Sequence, residues 1–152
     1  MVWLFLEPIV YFFAWTLVLY WIHRLCHGLD FLRRIHLDHH GFINSNGNGK
    51  SRWEINNCVL YNDSKHSTID LWLTEVIPTV AFSAVTGQWW ICIFYYVWAA
   101  FFQEIFEHRR GFDLFLLTPG EWHLQHHRNC KVNYSLFFPV WDIIFGTYHK
   151  HD

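Results

Sequence analysis

His36-Leu37-Asp38-His39-His40 and His123-Leu124-Gln125-His126-His127 both read HxxHH, and upstream of them His23-Arg24-Leu25-Cys26-His27 reads HxxxH. On an α-helix, residues three and four apart lie one turn above each other on one face. Each cluster can therefore aim two or three imidazoles in one direction. Neutral imidazole is the commonest protein metal ligand and suits iron, zinc and copper. A lone helical histidine is usually a surface or core residue. Here eight of twelve histidines fall into three in-phase clusters, two of identical pattern, which chance placement does not readily produce. Eight nitrogens are more than one zinc uses, since structural zinc is almost always four-coordinate. The surplus points to two metal ions.

Working outward, the composition resembles that of a membrane protein. Hydrophobic residues make up 53%, aromatics 21% and charged residues 16%, the last well below the roughly 25% usual in globular chains. Residues 1–22 carry a single charge, Glu7, and no Lys or Arg. About 20 apolar residues cross the hydrocarbon, so this stretch is long enough. It lacks the basic start and small-residue cleavage site of a signal peptide. A second apolar region runs from Ile69 to Phe106, and Thr86-Gly87-Gln88 is its turn-like break. It predicts a helical hairpin over 69–85 and 89–106, with Asp70 and Glu104 near its open ends. Each arm is close to the lower limit for a span, which leaves shallow or re-entrant insertion open. The Trp and Tyr residues of the second arm fit either an interfacial belt or an aromatic core.

All eleven basic residues lie outside the proposed spans, and the hairpin tip carries none. The positive-inside rule then puts residues 23–66 and 107–152 in the cytoplasm. All three clusters thereby share one side of the membrane. The expected fold is all-α: a polytopic integral-membrane helical bundle of one domain, 1–152, with a cytoplasmic histidine-rich helical cap. The four cysteines form no CxxC pair, which removes zinc-ribbon and thioredoxin readings. Cys26 and Cys130 flank clusters, either touching a metal or serving as small buried thiols.

In order along the chain, the first helix is expected to run through His27 and stop at Gly28. Asp30 caps a second helix, 31–40, which Gly41 ends. The segment 41–65 is polar. Its Gly49-Lys50-Ser51 lacks the earlier glycine and preceding strand of a phosphate-binding loop. Thr118-Pro119-Gly120-Glu121 has the order of a capping box, with Thr118 as cap and Glu121 as its reciprocal partner. His108 stands at the cytoplasmic end of the hairpin's second arm, able to reach the same site. Metal-bound histidines usually give their other N–H to a carboxylate or carbonyl. Asp38, Glu121 and Asp142 are candidates for that role, and each is equally explicable as a solvated charge or helix cap.

Those clusters, together with the ending Asn133-Tyr134…Trp141-Asp142…Phe145-Gly146-Thr147-Tyr148, resemble the fatty acid hydroxylase/sterol desaturase superfamily. The likeness covers His23 to Tyr148. It implies a membrane-bound non-haem di-iron oxygenase that uses O₂ to hydroxylate or desaturate a C–H position of a lipid. Carried over by motif, two iron ions fall to His23, His27, His36, His39, His40, His123, His126 and His127, with His108 as the additional ligand. One turn before His108 some relatives have a histidine, where this chain has Glu104. That carboxylate either binds iron, leaves a coordination position open, or has no role. No glycine fingerprint for flavin or nicotinamide is present, so the resemblance implies cytochrome b5 and its reductase as electron donors. The implied location is the endoplasmic reticulum with the clusters facing the cytoplasm, or the cytoplasmic membrane in a bacterium. A lipid substrate and the membrane are the expected partners; nucleic acid is not. Two other readings stay in play: a histidine-rich zinc transporter or buffer, and a family-like scaffold without catalysis.

Overall fold

The computed structural model describes residues 2–46, 53–62, 64–114 and 116–150; the side chains of 2–5, Phe42, 44–46 and Glu104 lie outside that description. The sequence readings of Gly49-Lys50-Ser51 and of the Glu104 carboxylate therefore lie outside the described residues.

Among the described residues, every regular element is helical. Helix α1 is Val2–Cys26 and α2 is Asp30–Asn46. A short 3₁₀ turn, Ile55–Val59, leads towards α3, Lys65–Thr86, which contains a π segment at Trp72–Val76. Helix α4 comprises Trp90–Trp98, a second π segment at Ala99–Gln103 and the final turn Glu104–Phe106. Two short helices come after it, α5 at Glu121–Arg128 and α6 at Val140–Ile144.

The predicted hairpin is α3 and α4, and Gly87 makes its turn at φ 73°. Within α1 and α3, Leu6–Cys26 and Lys65–Thr86 are long and apolar enough to cross a bilayer by length and composition; Trp90–Gln103 is apolar but shorter. Three local expectations need correction. Asp30 lies in the first turn of α2 rather than capping it, because Arg33 N–H already donates to Leu29 C=O at 2.8 Å. Gly41 does not end α2, which continues to Asn46. Glycine inside a helix costs only about 1 kcal/mol relative to alanine, and the next turn buries Ile43. Thr118 does not cap α5 either: the helix begins three residues later, after Gly120.

The core is aromatic. Trp15, Leu19, Leu71, Val76, Ile91, Tyr95, Ala99, Ala100 and Phe137 are buried together, and Phe12, Trp15, Phe94 and Phe137 meet at centroid distances of 4.9–6.2 Å. Edge and tilted contacts of this kind add about 0.5–1.5 kcal/mol per pair beyond burial. The Trp15 indole N–H donates to Thr79 Oγ1 at 2.9 Å, tying α1 to α3. The outer faces are apolar as well: Ile9, Val10, Phe13 and Val18 on α1, Ile77, Val80 and Val85 on α3, and Ile93 and Val97 on α4 are exposed. At one end of the bundle Gln88 Nε2 lies 3.5 Å from Glu7 Oε1. The histidines gather at the other.

Candidate metal centre

Four segments carry the rings. The last turn of α1 brings His23 and the adjoining His27; α2 brings His36, His39 and His40; the turn after α4 brings His108; α5 brings His123, His126 and His127. Helix spacing stacks the rings within each segment, while packing of α2 against α1, α3 and α5 brings the segments together. The nine rings sort into two groups: His23, His27, His36, His40 and His126, then His39, His108, His123 and His127. Within each group the ligand nitrogens all lie within 4.8 Å of one another. The groups adjoin, with the His40 and His127 rings stacked at 4.0 Å.

The start of α5 shows how the fold aims its rings. Gly120 sits at φ 90°, where a Cβ would be 2.0 Å from the Phe112 carbonyl oxygen. Gly120 N–H donates to Glu107 C=O and Glu121 N–H to Phe112 C=O, both at 2.9 Å. Backbone from the preceding loop thus satisfies the helix start. The Glu121 side chain instead accepts from Gly111 N–H at 2.7 Å and pairs with Arg128 at 3.4 Å.

The outer nitrogens of several rings are tethered. His23 Nδ1–H donates to the Tyr134 carbonyl at 2.7 Å, and His126 Nδ1–H donates to Val132 C=O at 2.7 Å. His36 Nδ1–H faces both oxygens of Asp70 at 3.1 and 2.9 Å. His39 Nδ1 lies 3.4 Å from Ser67 Oγ, and His40 Nδ1 lies 3.4 Å from Cys130 Sγ. In a neutral imidazole with Nδ1 protonated, Nε2 is a lone pair. His36 Nε2 then faces His23 Nε2 at 3.1 Å and His40 Nε2 at 3.0 Å. One proton could reconcile only one of those pairs; a metal ion reconciles all three nitrogens. Metal–nitrogen bonds of about 2.1 Å at right angles place neighbouring nitrogens about 3.0 Å apart. In the second group, His127 Nε2 lies 3.1 Å from His108 Nε2 and 3.0 Å from His123 Nε2. The donor set fits metal in both groups.

Electrostatics favours the neutral, ligand form. Burial, reinforced by neighbouring imidazoles, lowers His108, His123, His126 and His127 well below the usual histidine range. The same causes lower His40. Burial pushes His27 down to about 3 and His39 down to about 4, with His36 adding to the effect and Asp70 opposing it.

The carboxylates are placed differently from the sequence reading. Asp38 is exposed and lies 3.5 Å from His66, because it points off the outer face of α2. Glu121 serves the loop and Arg128 rather than a histidine. Asp142 is fully buried: it accepts from Tyr134 N–H at 2.8 Å, Ser135 N–H at 3.0 Å and the Thr147 hydroxyl at 2.7 Å. It holds the stretch of backbone whose Tyr134 carbonyl accepts the hydrogen bond from His23 Nδ1–H. The carboxylate on a histidine is Asp70, seen in the sequence as a charge at the hairpin mouth but not paired with His36. Glu107 is a further addition, with Oε1 3.7 Å from His123 Nε2. An ionisable residue at the edge of an apolar helix was the available signal for both.

The profile of the family Fatty acid hydroxylase matches residues 8–147, nearly the whole chain. The chain belongs to the fatty acid hydroxylase family. The chain is also similar to Protein CER1-like 1 of Arabidopsis thaliana, 29% identical over 140 residues, a match covering 84% of this chain and 21% of that protein. The chain thus spans about one fifth of the length of that relative. No solved structure matches it.

Proposed function

We propose that this chain is a membrane-bound oxidoreductase that uses O₂ to hydroxylate, or desaturate, a C–H position of a lipid. The observation that carries the reading is the pair of adjoining imidazole groups whose inward nitrogens confront each other at 3.0–3.1 Å. Iron is the metal the family supports. His23, His27, His36, His40 and His126 would hold one ion, and His39, His108, His123 and His127 the other. When bound, the metals would supply O₂ activation with two electrons and two protons: hydroxylation puts one oxygen atom into the substrate and the other into water, whereas desaturation sends both to water.

The chain's own residues prepare that chemistry. Tyr134, Val132 and Asp70 fix the tautomer and orientation of three rings, which raises their basicity as ligands. Burial keeps His27, His39, His40, His108, His123, His126 and His127 unprotonated at neutral pH. Electrons come from a separate carrier, with cytochrome b5 and its reductase the proposed donors in a eukaryotic host.

Membrane insertion is part of the same reading. Two apolar helices are of spanning length, and their outward faces expose Ile, Val and Phe where a water-soluble bundle would place charge. The histidine end is proposed to face the cytoplasm, on the charge pattern.

The test is expression in a membrane host with lipid profiling, comparing wild type with His126→Ala. A hydroxylated or desaturated lipid that appears only with the wild type supports the reading. Lipid profiles identical between the two, from protein that carries iron, would overturn it.

A further inference from the structure

Next to the histidines lies a cavity of about 20 Å³ bordered by His23, His36, His39 and His123. That is room for one water-sized group. Its remaining walls are mostly polar, with Thr74, Glu75, Gln103 and Glu107 from α3, α4 and the turn after α4; Leu71 and Leu136 form the apolar side. Glu75 and Gln103 both sit in π segments, the local widening of a helix that recurs at functional sites.

Gln103 is 3% exposed. Its Nε2 lies 3.0 Å from both oxygens of Glu75 and 3.3 Å from both oxygens of Glu107. Tyr95 O–H donates to Glu75 at 3.3 Å, holding that carboxylate from the other side. The amide orientation is therefore decided: turned over, its carbonyl oxygen would face four carboxylate oxygens. With Nε2 committed, Gln103 Oε1 is a buried acceptor with no hydrogen-bond partner among the described residues. The nearby Thr74 hydroxyl is already donated to the Asp70 carbonyl at 2.8 Å.

We infer that Gln103 is a specificity-determining residue, and that its Oε1 receives an O–H carried by the substrate beside the carbon that is oxidised. The substrate class is a neutral, hydroxyl-bearing lipid. A free fatty acid is disfavoured, because its carboxylate would meet Glu75 and Glu107. An ester or an unsubstituted alkyl chain offers no donor. The inference rests on the oxygenase reading and narrows it.

The experiment is equilibrium binding to the purified, iron-loaded full chain in detergent, without turnover. The ligands are a long-chain primary alcohol, its methyl ether and the fatty acid of equal length. The wild type is expected to prefer the alcohol over each of the others by about tenfold, the scale of one hydrogen bond with a buried partner. In Gln103→Met the alcohol–ether preference falls to within about twofold. Equal binding of alcohol and ether to the wild type overturns the inference. A preference that persists in a folded Gln103→Met protein overturns the assignment to this residue. If that variant does not fold, the wild-type comparison decides alone. Iron content and O₂ consumption of the same preparation are read separately: absence of both defeats the oxygenase reading, whereas equal binding by an iron-replete, O₂-consuming protein defeats only the substrate inference.

Discussion

Asp70 and Asp38 are both carboxylates near the histidine-rich helix α2, yet they differ in what they touch. Asp70 is buried against His36 Nδ1 at 2.9 Å, while Asp38 pairs with exposed His66. Loss of a carboxylate behind a ligating histidine typically weakens metal affinity about 10–100-fold. Asp70→Asn is therefore expected to bind the proposed iron about 10–100-fold more weakly in a chelator titration, with Asp38→Asn unchanged. The pH response comes from the buried histidines, among which His27 and His39 are lowered to about 3 and about 4. An unfolded histidine takes up its proton near pH 6.5, so below that value the unfolded state binds more protons than the folded one. Stability is complete above about pH 6.5 and is lost as pH falls from there towards 4 and then 3. Denaturant unfolding of metal-free protein across that range checks the sign; greater stability at pH 5 than at pH 7.5 would refute it.

At the scale of elements, two glycines behave oppositely. Gly41 lies within α2 with open space where a Cβ would go, so Gly41→Ala is expected to stabilise by about 0.5–1 kcal/mol. Gly120 starts α5 at φ 90° against the Phe112 carbonyl. Gly120→Ala is expected to cost at least about 2 kcal/mol, from backbone strain and displacement of that loop. Thermal unfolding in detergent measures both. The helices α1, α3 and α4 were legible from hydropathy, because long apolar runs, the second broken by Thr86-Gly87-Gln88, have few other ways to fold. The start of α5 was not. Thr118 and Glu121 have the spacing of a capping box, but a backbone contact from Phe112, nine residues before Glu121, takes over the cap. Local spacing carries no information about such a contact.

For the whole molecule, the histidine centre and the Gly87 turn lie at opposite ends of the bundle, the turn being marked by the Gln88–Glu7 contact. In sealed vesicles, with the native cysteines replaced, Gln88→Cys and Asp113→Cys are expected to react with a membrane-impermeant thiol reagent from opposite sides. Reaction of both from one side would contradict the proposed topology. Three histidine clusters at helical spacing, with His108 at the hairpin's mouth, were enough as a string of residues to name the nine rings that the fold gathers, since i, i+3 and i, i+4 positions share a face whatever else the chain does. Apolar length was enough to set out the hairpin for the same local reason. Which ring joins which group, that His36 leans on Asp70, that His23 answers to the Tyr134 carbonyl held by Asp142, and that Gln103 is caught between Glu75 and Glu107 were decided by packing alone. These pairs lie up to 111 positions apart, and only the docking of helices on one another brings their polar atoms within hydrogen-bonding reach.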